Sequence, residues 1–139
     1  MDQQKSMTEL FGPVIYAYTR EMALNDGVLI DVSETALEAG IKFPVAVTQA
    51  VWNRYVEWEP GDSEKQAYQD KSGRLWDVVW MARHGIVGAK GQATEILFEL
   101  YCIPRDGQTK RAKRTTLKII LGPGDHGEAV LTILLPNED

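Results

Sequence analysis

The sequence predicts an α+β fold, with helices in the first two-thirds packed on a C-terminal three-stranded antiparallel meander that short N-terminal strands can extend. Three observations predict it. Up to about Gly85, apolar residues recur every three or four positions and are flanked by capping residues. From Thr94 onward the runs become β-rich, and polar and apolar residues alternate. The linkers 105–114 and 122–128 carry Gly and Asp, as hairpin connections do. Helices followed by hairpin-linked strands is the α+β order. At 139 residues the chain has one domain's length. The expected division is a flexible N-terminus at 1–8 and a single domain at 9–139.

Gly12-Pro13 punctuates the start of the fold, and Val14 to Tyr18 reads as a short strand. Thr19 is a good cap for a helix over Arg20 to Asn25, which Asp26-Gly27 stops. Val28 to Val32 is a brief β-rich run. Ser33 is placed to cap a helix over Glu34 to Ala39, with Gly40 at its end. Val47, Val51 and Tyr55 repeat every four positions, which predicts a helix from about Val45 to Tyr55. After the loop Glu59 to Asp62, Ser63 can cap a short polar turn through Tyr68. Arg74 to His84 reads as a helix with Leu75, Val78, Val79 and Ala82 on one face, ended by Gly85. Strands are expected at Thr94 to Ile103, Thr115 to Leu121 and Ala129 to Leu135. The last of these is apolar, and as a sheet edge it would offer pairing to a second copy of the chain, giving a homodimer through an edge strand.

Composition narrows the class. With 44% apolar and 25% charged residues the chain is ordinary for a globular protein. The single cysteine forbids an internal disulfide and fits a reducing compartment. No signal-peptide pattern and no membrane-spanning apolar run is visible, so a cytoplasmic protein without membrane contact is expected. Residues 1–70 hold twelve acids and five bases, whereas 71–139 hold eight acids and ten bases. The net charge of −5 argues against a general nucleic-acid binder.

The clearest local feature is the linker from Arg105 to Arg114, with five bases and one acid in ten residues. Arg105, Lys110, Arg111, Lys113 and Arg114 at a hairpin tip suit contact with phosphates or an acidic protein face. A solvated hairpin end explains the same residues without a partner. The tip lacks an aromatic residue, so it offers no base stacking. Trp52, Trp58, Trp76 and Trp80 are expected in the core, with Trp58 the candidate partner-binding anchor if one is exposed.

Other features point to no chemistry. Gly122 to Gly127 lacks the Lys and the following helix of a phosphate loop, so it reads as a turn. His84, His126 and Cys102 have no metal-site spacing, and no cofactor is implied. Cys102 reads as a small buried hydrophobe. Glu95 and Glu99 share one face of a strand, which a half-solvated outer face explains. Arg20 and Asp31 are expected to form a structural ion pair, with a small-molecule clamp as the alternative.

Several stretches resemble an uncharacterised protein family carried on bacterial plasmids, phages and integrative elements. They are Phe11 to Tyr16, Asp26 to Ser33, Phe43 to Thr48, Gly73 to Val78, Gly122 to Asp125 and Leu131 to Pro136. The resemblance implies a context, an accessory gene of a mobile element, and no activity. The expected function is therefore a non-enzymatic accessory binding protein acting through a protein or nucleic-acid partner. Two alternatives stand beside it. One is a small enzyme built on Arg20, Asp31, Glu95 and Glu99. The other is an acidic DNA mimic that inhibits a host defence protein.

Overall fold

A computed structural model describes residues 18–89 and 93–138. The loose start expected at 1–8 and most of the strand expected at Val14 to Tyr18 lie outside them. In chain order the elements are α1 (Arg20–Asn25), β1 (Leu29–Asp31), α2 (Ser33–Glu38), β2 (Val45–Thr48), α3 (Gln49–Val51), α4 (Pro60–Lys65), α5 (Lys71–Gly88), β3 (Glu95–Cys102), β4 (Lys113–Pro123) and β5 (Ala129–Leu134). A π-helical turn at Trp52–Val56 continues α3. Among the described residues no helix is long and apolar enough to cross a membrane.

The class is α+β, but the sheet is not a three-stranded C-terminal meander. Five strands form one mixed sheet in the order β1-β2-β5-β4-β3. β3, β4 and β5 are antiparallel neighbours, as the hairpin linkers predict. β2 then lies parallel to β5, and β1 antiparallel to β2. This corrects the expected edge: β5 is the middle strand, and the edges are β1 and β3.

The helix expected from Val45 is also corrected. Val45, Ala46, Val47 and Thr48 are all buried, because β2 sits between two strands with both its faces covered. A strand buried on both faces shows no alternation, so its apolar run merges with the helix that follows. The chain changes state at Thr48, whose Oγ1 accepts from the Val51 N–H and caps α3.

One face of the sheet carries the core. Val45 and Val47 of β2, Leu131 and Ile133 of β5, Leu117 and Ile119 of β4, and Phe98 and Leu100 of β3 lie under Ala36, Val51, Tyr55, Val78, Val79 and Ala82 from the helices. Gly85 lets α5 approach this face closely. A Cβ there would stand 2.8 Å from Cβ of Phe98. The helix therefore runs through Gly85 to Gly88, because the residue serves close packing rather than termination.

Candidate functional site

The basic linker is not a loose hairpin tip. Gln66, at the end of α4, is only 6% exposed and its amide organises the linker. Its Nε2 donates to the carbonyls of Pro104 (2.9 Å) and Thr109 (2.6 Å) and to Oδ1 of Asp106 (3.1 Å). Its Oε1 accepts from the Gly107 N–H at 3.0 Å. Asp106 ties the turn from within, accepting from the N–H groups of Gln108 and Thr109 and from the Thr109 hydroxyl. Those bonds hold its carboxyl at about 2. Gly107, at φ +78°, supplies the left-handed turn this path needs.

The five bases divide into two sets. Arg105 donates from Nε to Asp62 at 2.8 Å, and its N–H bonds the Arg54 carbonyl. Asp62 also accepts from the Glu59 N–H at 2.7 Å, and these bonds hold its carboxyl below the usual range. Arg114 makes a two-pronged pair with Glu99 at 2.7 and 2.8 Å. Lys110, Arg111 and Lys113 are exposed, and among the described residues no ion pair or hydrogen bond holds their side chains.

Beneath the linker lies a buried arginine that the sequence did not single out. Arg74, on α5, donates to the carbonyls of Arg54, Val56 and Ile103 and to the Gln69 side chain, at 2.7 to 3.1 Å. No carboxylate touches it among the described residues, and burial lowers its pKa. It joins the π-helical turn, the end of β3 and the loop before α5 at one point. The turn carbonyls that a widened helix leaves open are thereby met. Its guanidinium also stacks over Trp58 at 4.3 Å.

Trp58 is accordingly a packing residue. It is 5% exposed and donates from Nε1 to the Ser63 hydroxyl. The exposed tryptophans are Trp76 and Trp80 on α5, stacked with centroids 5.5 Å apart, with His84 edge-on to Trp80. A groove of about 570 Å³ lies between α5 and the β3 edge, lined by Asp77, Trp80, Met81, Glu99, Tyr101 and Arg114. Burial pushes the Asp77 carboxyl up.

The remaining candidates are dispersed. Arg20 donates to the Thr132 hydroxyl and the Leu131 carbonyl. Asp31 does not pair with it but accepts from the Ser33 N–H and hydroxyl. Arg20 and Glu21 instead give their N–H groups to Asp125, so the Gly122 to Gly127 turn caps the start of α1. Asp31 lies on one edge strand, while Glu95 and Glu99 lie on the other. The four residues of the enzyme alternative are thus not brought together. Cys102 is half-buried, donates to the Thr115 hydroxyl at 3.3 Å, and has its thiol pushed up by burial.

The sequence model of one protein family, described as a family of unknown function (DUF6573), matches residues 7–139. The chain belongs to that family. The match spans every element from α1 to β5, including the Gln66-held linker and the Arg74 clamp. No curated protein and no solved structure matches the chain.

Proposed function

We propose that this DUF6573 protein is a non-enzymatic binding module whose basic loop contacts an acidic face of a protein partner. The observation that carries the reading is the division of labour within the loop. Gln66, Asp106 and Arg105 fix its backbone, while Lys110 and Arg111 project with no carboxylate to neutralise them among the described residues. A loop that is already ordered loses little entropy on binding, so its charges act at full effect. A net charge of −5 and a loop without aromatic residues favour an acidic protein over a nucleic acid. The resemblance to a family spread by plasmids, phages and integrative elements supports a role as an accessory protein of such an element in a bacterial cytoplasm.

The test is affinity capture from nuclease-treated lysate of the source cell, comparing wild type with Lys110→Glu/Arg111→Glu. Loss of a salt-sensitive protein band in the variant is the expected result. An unchanged band pattern removes the loop as the contact. A parallel anisotropy titration with single- and double-stranded oligonucleotides decides the other polymer. Loop-dependent binding there would replace the protein partner by a nucleic acid.

A further inference from the structure

We propose that the cleft between the α2–β2 loop and the last turns of α5 binds a small carboxylate with an apolar body. The cleft measures about 290 Å³. Ile41, Phe43, Ile86 and Val87 form its apolar walls, and Lys42 and Arg83 supply its charge. No carboxylate lines it among the described residues. Phe43 and Val87 are 48% and 63% exposed, so the walls are open to a ligand.

Both walls are fixed before a ligand arrives. A Schellman turn closes α2: the Ile41 N–H bonds the Ala36 carbonyl at 2.8 Å and the Gly40 N–H the Leu37 carbonyl at 3.0 Å, with Gly40 at φ +94°. The turn sends Ile41 into the core and leaves Lys42 and Phe43 at the rim. Gly40 also makes room for Arg83, whose Nε would stand 3.0 Å from a Cβ there. The Arg83 guanidinium lies 5.4 Å from the centroid of the Trp80 ring. The side chain is thus held between a loop and a ring. Yet among the described residues no ion pair or hydrogen bond meets its donors, nor those of Lys42.

These groups select the ligand. A guanidinium presents a planar fork of N–H donors that a carboxylate meets with two parallel bonds. Lys42 adds a second cation at the rim. The C-terminus of α5 opposes an anion, but with only about half a unit of negative charge against two full positive ones. The wall side chains are aliphatic or aromatic, so burying an apolar body against them supplies the rest of the attraction. A bare inorganic anion would leave those walls wet, and an uncharged hydrocarbon would leave the guanidinium unmet. At ~30 Å³ for a water-sized group, the cleft has room for about ten non-hydrogen atoms, the size of octanoate. Lys110 and Arg111 do not line the cleft, so this site stands independently of the basic loop.

Amide NMR spectra of the full chain, titrated with octanoate, test the site. Saturable shifts at Ile41, Phe43, Ile86 and Val87 are expected in the millimolar range. Lys42→Gln/Arg83→Gln, checked for folding by circular dichroism, should weaken binding about tenfold or more. Lys42→Gln alone alters only an exposed side chain and should weaken it by a smaller factor, which keeps the test decisive if the double variant does not fold. Octanol and inorganic phosphate are the controls. The absence of saturable shifts at the cleft with octanoate overturns the proposal, and so does unchanged affinity in the variants. Octanol that binds as tightly as octanoate removes the cations from the site, and phosphate that shifts the same amides as strongly removes the apolar walls; either result overturns it as well.

Discussion

Replacing Gln66 tests whether one buried amide holds the basic loop. Gln66→Ala removes four hydrogen bonds, to Pro104, Asp106, Gly107 and Thr109. A neutral bond contributes roughly 1 kcal/mol net, so their loss costs about 3 kcal/mol once partly exposed loop atoms regain water. In a chain of this length that lowers Tm by roughly 10 °C. Gln66→Glu is sharper still. It keeps the acceptor for the Gly107 N–H but sets a carboxylate against the Pro104 and Thr109 carbonyls and the Asp106 carboxylate. At neutral pH it should destabilise more than Ala does, despite its nearly unchanged shape. Thermal melts give the magnitude, and amide exchange at Gly107 and Thr109 localises it. A loss below about 0.5 kcal/mol for Gln66→Ala, or a Gln66→Glu variant as stable as wild type, refutes the clamp.

Three further outcomes follow from the same geometry. Arg74→Leu strands the Val56 and Ile103 carbonyls in the interior, the Arg54 carbonyl keeping the Arg105 N–H, and should cost roughly 3 kcal/mol in denaturant unfolding; Arg74→Lys, lacking the planar fork, should restore only a minor part. Gly85→Ala should destabilise by about 1–2 kcal/mol in the same assay, because the added Cβ meets Phe98 at 2.8 Å and outweighs the gain in helix propensity. Asp106 is depressed in the folded state, so its contribution to loop order is complete above its ordinary value of 3.8 and is lost as pH falls through about 2. Between pH 4 and 2, exchange at Gln108 and Thr109 should accelerate, and Asp106→Asn should abolish that step.

Much of the local structure could be read from the sequence, because it rests on local causes. Thr19 caps α1 and Asp26 ends it, as residue type predicts. β3, β4 and β5 lie within a residue or two of the expected strands, since alternation over eight residues is a strong signal. The basic loop stands out by its charge, whereas Cys102, expected to be buried, is half-buried, and Gly124 to Gly127 form the turn expected between β4 and β5. The start of α5 was missed by three residues. Its cap is Asp70, whose carboxylate accepts from the Gly73 N–H. Arg74 did leave a trace, since it continues the four-residue spacing of Val78 and Ala82 onto the buried face.

What the sequence settled alone is where the chain turns, where its period changes and where its charge collects. Those depend on side chains a few positions apart. The tertiary structure decided that Val45 to Thr48 is a strand, that β5 lies in the middle and β3 at the edge, and that Trp58 is inside while Trp76 and Trp80 face out. It also decided that Gln66 holds the basic loop in place and that Arg74 ties the π-helical turn to the end of β3. Each of those outcomes depends on partners dozens of residues away. Burial and hydrogen bonding across such distances are properties of the assembled sheet, and no local spacing encodes them.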